Sequence, residues 1–331
     1  MRAVVVNEFG PIGNAVLGEA PAPAPGPRDL LVEVHATAAN YVDLVLIGGK
    51  HQSKPPLPFI PGKGPAGIVR AVGAEAAGFA VGDRVLAMCE PGGGFAELIA
   101  VPATQCHRIP DAMPFADAAS MALVYDTAWF SLRERGRYQP GETVLVLGAT
   151  GGVGLAAIQL AKALGAKVLA GAANPAKFDM ARAAGADAII DLGRPDLHES
   201  LRDQVYAVTD GRGADIIIDP LGDAIFDAAI RALAWCGRMV VIGFAAGRIP
   251  TLKVNYLLVR NIDVTGLQIG DYRKRVPHKT AACFAELFAL YEAGRIRALP
   301  TTTLPIARIG DALRAIEDRS ARGRIVLLQD R

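Results

Sequence analysis

The stretch P-G-E-T-V-L-V-L-G-A-T-G-G-V-G-L-A-A-I-Q-L-A-K-A-L-G-A at residues 140–166 decides the fold. An apolar run from Thr143 to Leu147 has the length of a buried strand, and it stops at Gly148. The chain then passes through Gly151, Gly152 and Gly154 into an alanine-rich segment with helical spacing that reaches Leu164. Glycines at a strand-to-helix turn tolerate positive φ, let main-chain amides approach a diphosphate and let the helix pack closely on the strand. The helix N-terminus adds partial positive charge and amides without intrahelical acceptors, which suits phosphate. The spacing is G-x-x-G-G-x-G rather than G-x-G-x-x-G, so its position between strand and helix carries more weight than the motif itself. The candidate dinucleotide-contacting residues are Gly148, Ala149, Thr150, Gly151, Gly152, Val153 and Gly154.

Downstream, KVLAGAA (167–173), AIIDL (188–192), ADIIID (214–219) and RMVVIG (238–243) are separated by helical stretches, and IDVTGL (262–267) closes the series. Such alternation requires crossover connections, hence a doubly wound parallel sheet covered by helices on both faces. An NAD site carries an acid at the end of the second strand to bind the adenosine ribose. Here that position reads Gly171, Ala172, Ala173, Asn174, and Lys177 follows at the start of a helix. With no carboxylate to repel a 2′-phosphate, NADPH is the expected cofactor, although Lys177 alone would also suit a solvated helix face.

Upstream the texture differs. Short apolar runs at 4–6, 30–34, 67–73 and 83–88 are broken by Pro and Gly, as in a half-open antiparallel barrel. The Pro-rich segment 21–29 reads as a surface connector. A helical region is expected from about Ala116 to Gly136, a helix at 280–293, and a last helix and strand between Ile309 and Leu328. The tail needs a surface for its apolar face, so it is assigned to the first domain. The expected division is therefore 1–122 with 268–331 against 123–267, two domains in 331 residues.

Composition narrows the classes. Hydrophobic residues make up 51% and charged residues 21%, which excludes disorder, and 35 basic residues interspersed with 33 acidic ones offer no polyanion-binding face. Nucleic acid is not an expected partner. No apolar run approaches the roughly 20 residues of a membrane span, and the N-terminus lacks the pattern of a secretory signal. Four scattered cysteines fit a reducing compartment, and the cytoplasm is the expected location. None of the five histidines pairs with Cys or Glu at a ligand-like spacing, so no metal is expected. Without a Lewis acid for an alkoxide, conjugate reduction is the easier chemistry, since a quinone or enone spreads incoming charge onto oxygen.

The chain resembles the zinc-independent quinone oxidoreductase branch, which includes zeta-crystallin, of the medium-chain dehydrogenase/reductase superfamily. The resemblance is carried by AANYVD (38–43), PGKGPAGIVRAVG (61–73), VGDRV (81–85), GGFAELIAVPA (93–103), the stretch at 140–166, AGADAIIDL (184–192) and DRSARGRIVL (318–327). It implies a GroES-like barrel interrupted by a Rossmann domain, a nicotinamide in the cleft, and homodimers or homotetramers. It further implies that Asn40 of an N-x-x-D element with Asp43 faces the nicotinamide; both residues also suit turn capping. By the same resemblance Thr127 lies beside the cofactor, Gly243 and Phe244 meet the nicotinamide amide, and Lys177 and Arg319 bind the 2′-phosphate. Where zinc-dependent relatives have G-H-E, this chain reads Gly62, Lys63, Gly64. The family's R-x-G-x-Y stretch is altered, with Ile47 for arginine and His51 for tyrosine. His51 and Tyr41 are rival proton donors, although a surface position suits His51 equally well and simple packing is the commoner role of such a tyrosine. The expected function is NADPH-dependent reduction of a quinone. Alternatives are reduction of alkenals, enones or enoyl thioesters, and an NADPH-binding structural or sensor protein without turnover.

Overall fold

The computed structural model describes residues 1–90 and 92–329. The chain divides into two compact units. The first comprises Met1–Leu123, Gly270–Phe288 and Ala298–Arg331, and the second Val124–Ile269 and Ala289–Arg297.

Unit 1 begins with the antiparallel ribbon β1 (Arg2–Val6) and β2 (Ala15–Glu19), followed by β3 (Asp29–Ala39), β4 (Ala66–Val72), β5 (Arg84–Ala87), β6 (Leu98–Pro102) and β7 (Cys106–Arg108). Unit 2 supplies β8 (Thr143–Leu147), β9 (Lys167–Ala172), β10 (Ala188–Asp191), β11 (Ala214–Asp219), β12 (Leu233–Val241) and β13 (Asp263–Gly266). The chain returns to unit 1 for β14 (Thr301–Pro305) and β15 (Arg324–Leu328).

In unit 1 the strand order is β14-β15-β3-β4-β5-β7, with β6 also on β3. Every pairing is antiparallel except β14 with β15. The long β3 is the hub because its successive segments pair with β6, β4 and β15. Its Leu30, Val32 and Val34 alternate inward with Val69, Val85 and Ile99 to form one apolar cluster. A second cluster packs Ile309, Ala312 and Leu313 of the helix Ile309–Glu317 against Val4, Val6 and Ile325, so the amphipathic tail does cover a face of the barrel.

In unit 2 all pairings are parallel and the order is β10-β9-β8-β11-β12-β13. Counting within this sheet, that is 3-2-1-4-5-6, with the direction of winding reversing between β8 and β11. All five residues of β8 are buried, as a central strand covered on both faces must be.

Two expectations need correction. The helical region 116–136 is not continuous: Phe115–Met121 and Val124–Trp129 are separated by Leu123 at φ 66°, and a π-helical turn Phe130–Arg135 precedes Gly136. The break coincides with the boundary between the units. Beside it, Gly64 lies so close to Ala122 that a Cβ would come within 2.3 Å of the alanine methyl group. Within the tail, Ala289–Arg297 belongs to unit 2 rather than unit 1. The Arg297 amide donates to Gln159 Oε1 (3.0 Å) and Tyr125 Oη donates to the Arg297 carbonyl (2.6 Å), which satisfies two buried side chains of unit 2.

Candidate active site

In unit 2 the site is built at the carboxyl ends of β8, β11 and β12. Gly148 turns the chain out of β8 with φ +60°, a conformation costly for any residue with a Cβ. The space a Cβ would need there is already filled by Pro220 and Leu221, which follow β11, at 3.1 and 3.2 Å. Ala149 is buried and its amide donates to the Gly171 carbonyl of β9 (3.0 Å), while Thr150 is half-buried. Gly151 is exposed and caps the helix Gly152–Ala163 with no side-chain hydrogen bond. The first-turn amides of Gly152, Val153 and Gly154 therefore have no acceptor from the helix itself. Gly154 has a packing reason as well: a Cβ would lie 2.3 Å from the Gly148 carbonyl oxygen and 2.7 Å from Ala149 Cα.

This turn fits the diphosphate of a dinucleotide. It sits at the topological switch point, presents bare amides on a helix of 12 residues, and has at Gly151 an exposed position whose Cβ would meet only the Gly148 oxygen, at 3.4 Å.

The loops around it are held by hydrogen bonds of their own. Asp219 ends β11, and its Oδ1 accepts the amides of Leu221 (2.8 Å) and Gly222 (3.0 Å). Burial pushes its carboxyl up, with those two amides opposing. The Pro220 carbonyl accepts the Ala245 amide (3.0 Å), placing Gly243 and Phe244 beside the β11 end, and Phe244 is 41% exposed. Thr127 is half-buried on the helix Val124–Trp129, where its amide donates to Asp126 Oδ1 and its carbonyl accepts Ser131 Oγ. At the end of β9, Asn174 is exposed and caps the short turn Pro175–Lys177 by accepting the Ala176 amide (3.0 Å). Lys177 is half-buried at the end of that turn.

The remaining sequence candidates lie in unit 1. Asn40 caps the helix Tyr41–Ile47, and its amide donates to Asp43 Oδ2 (2.8 Å). The Asn40 side chain is bonded at both ends, with Nδ2 donating to the Ala38 carbonyl (2.8 Å) and Oδ1 accepting Arg324 Nη2 (2.6 Å). Asp43 is completely buried and its Oδ1 accepts the Gly62 amide (3.2 Å). Burial pushes the Asp43 carboxyl up to about 6, although the amides of Asn40 and Gly62 and the charges of Lys63 and Arg324 all favour its ionised form. Burial likewise takes Arg324 down to about 10, with Asp43 opposing. Tyr41 is 56% exposed at the first turn of its helix. His51 sits in a bend, where Ser53 closes on its Nδ1 through its amide (3.1 Å) and its carbonyl (2.9 Å). Arg319 is exposed just beyond the helix Ile309–Glu317 at φ 55°, and its amide donates to the Ile316 carbonyl (3.2 Å).

Sequence reading missed a buried ionic chain in the same unit. Lys63 pairs with Glu90, and Arg273 pairs with the other oxygen of Glu90 (2.7 Å). All three side chains are at most 7% exposed. Burial alone would raise Glu90, but Lys63 and Arg273 hold its carboxyl below the usual range.

Comparison with known proteins places this architecture. Residues 26–111 match the family model for the alcohol dehydrogenase GroES-like domain, and residues 152–287 match that for zinc-binding dehydrogenases. A quinone oxidoreductase-like protein 2 homolog from Nematostella vectensis is 35% identical over 329 residues, covering 98% of this chain and 88% of the relative. The chain is a quinone oxidoreductase-like medium-chain dehydrogenase/reductase. It is accordingly an oxidoreductase, with the GroES-like and Rossmann-type domains of that superfamily. Among solved structures, a mycobacterial quinone oxidoreductase superposes with a TM-score of 0.90 at 30% identity over 99% of both chains. A mycobacterial structure described as complexed with NADPH gives 0.88 at 31% identity, again over 99% of both. Among the described residues no group of three or more His, Cys, Asp or Glu is placed to hold a metal ion. No helix among them is long and apolar enough to cross a membrane.

Proposed function

We propose that the protein is an NADPH-dependent reductase that delivers hydride, without a metal, to a quinone, with enones and alkenals as chemically adjacent acceptors. The observation that carries this proposal is the turn after β8: bare amides at an uncapped helix start, at the sheet's switch point, beside a β9 end that carries no acid. The amides of Gly152, Val153 and Gly154 hold the diphosphate. Asn174 and Lys177 take the adenosine ribose and its 2′-phosphate, and Arg319 is assigned to the same phosphate by family resemblance. We assign Gly243, Phe244 and Thr127 to the nicotinamide end, and carry Asn40 and Asp43, which form a rigid capped turn in unit 1, as candidate catalytic residues by family resemblance alone. When bound, NADPH supplies a hydride with its electron pair. The protein's own contribution is positioning and exclusion of water, which suffices for acceptors that delocalise charge onto oxygen.

His51 and Tyr41 remain candidates for the proton that completes reduction. We assign the protein to the cytoplasm as a homodimer or homotetramer on the same grounds of resemblance and cysteine usage.

Purified protein dialysed against a chelator should oxidise NADPH with a naphthoquinone at the same rate as untreated protein. Absence of turnover with naphthoquinone, a short alkenal and a crotonyl thioester would leave only an NADPH-binding role. Loss of turnover on chelation, restored by zinc, would replace the metal-free mechanism.

A further inference from the structure

We propose that Arg194, in the loop that follows β10, is a specificity-determining residue that binds the 2′-phosphate of NADPH. This deepens the cofactor reading given above and rests on it. Every residue involved lies in unit 2, with the cofactor turn.

A coenzyme with a 2′-phosphate is received by an arginine near the end of the second strand of such a sheet. Here that strand is β9, and residues 171–177 at its end include a lysine but no arginine. The loop after β10 runs against the same segment. β10 is parallel to β9 with Asp191 opposite Ala172, and the Leu192 amide donates to the Ala172 carbonyl (2.9 Å). One residue further on the two chains touch, since a Cβ on Gly193 would lie 3.0 Å from the Ala173 carbonyl oxygen. Arg194 therefore leaves the main chain beside the stretch that carries Asn174 and Lys177.

Its loop is well anchored. Gln204 clamps the end of β10, with Oε1 accepting the Asp191 amide (2.8 Å) and Nε2 donating to the Asp191 carbonyl (3.0 Å). Asp191 Oδ1 accepts the Gly193 amide (2.9 Å) and closes the turn. Pro195 follows, and a proline disfavours helical backbone in the residue before it.

The charges give the arginine its purpose. β9 ends without an acid, but Asp191 places one on the adjacent strand, with its side chain 30% exposed. Arg194 Nε stands 4.0 Å from Asp191 Oδ2 and offsets that charge. The Nη1 and Nη2 groups have no hydrogen-bond partner among the described residues, and the side chain is 58% exposed. A planar fork of N–H groups matches two phosphate oxygens, whereas Lys177 offers a point charge. Two cations from adjacent loops thus meet one phosphate.

Arg194→Ala is the test, read by titration calorimetry with both coenzymes. An exposed ion pair at this distance contributes little to stability, so the variant should melt with the wild type. Its Kd for NADPH should rise about 10-fold or more, as for loss of a charge-assisted hydrogen bond, while that for NADH stays within about twofold. Equal weakening of both coenzymes would mark a structural role and overturn the proposal, as would an NADPH affinity within about twofold of wild type. Adding Asp191→Asn to R194A should restore only part of the loss. Full restoration would show that Arg194 merely masks Asp191, and the proposed contact would fall. A wild-type protein that binds NADPH no more tightly than NADH would instead contradict the cofactor reading itself.

Discussion

Gly154 is the residue on which the proposed cofactor turn depends most directly. The Gly148 oxygen and Ala149 Cα stand where its Cβ would go, and both are main-chain atoms that cannot rotate away. Gly154→Ala should therefore force the helix off β8 and cost roughly 1–3 kcal/mol, measured by urea denaturation, with weaker NADPH binding as the helix start shifts. Unchanged stability would show that the turn relaxes freely. The importance of this glycine was legible in the letters because its partners are within six residues. Lys63 and Glu90 are 27 residues apart, and Arg324 reaches Asn40 from 284 residues away. No local pattern announces such pairs, and G-K-G could be read only as a missing histidine. The N-x-x-D element was legible as a cap, and its geometry as a cap is now explicit; the partner that occupies Asn40 Oδ1 was not.

Between elements, β7 and the helix Pro277–Glu292 meet where His107 stacks on Phe284 with ring centroids 4.4 Å apart. Burial pushes the His107 imidazole down to about 3, and the Arg273 charge adds to the effect. An unfolded chain takes up this proton near pH 6.5 and the folded one only near pH 3. The unfolded state therefore holds more protons across that window, and stability falls as pH is lowered through it, by about 5 kcal/mol in total. His107→Phe should flatten the stability–pH curve between about pH 6.5 and 3 relative to wild type, as followed by denaturation at several pH values; parallel curves would refute the assignment. Element order in unit 2 was readable because each strand is a compact apolar run between helical stretches. The break at Leu123 was not, since Ala, Leu and Trp keep helical spacing across it; the turn falls where the chain passes from one unit to the other. β2, β6, β7 and β14 were equally silent, being short and partly exposed at the sheet margins.

For the molecule as a whole, sequence reading identified two domains and a chain that leaves the first and comes back. The return was placed at 268, whereas Ala289–Arg297 goes back once more to unit 2 to satisfy Gln159 and Tyr125. Apolar patterning cannot foresee this, because the segment buries little beyond Ile296 and is held largely by hydrogen bonds from Arg295 and Arg297 and to the Arg297 main chain. Family membership settles the class of chemistry, and the cofactor turn is where the account is most exposed to test. Titration calorimetry of the wild-type protein with NADPH and NADH, repeated on Lys177→Glu, probes it directly. We expect one NADPH site per chain, NADH binding weaker by about tenfold or more, and a Lys177→Glu protein that loses NADPH affinity while keeping that for NADH. Equal affinity for the two coenzymes unaffected by Lys177→Glu would remove the phosphate assignment, and no heat with either would contradict the account.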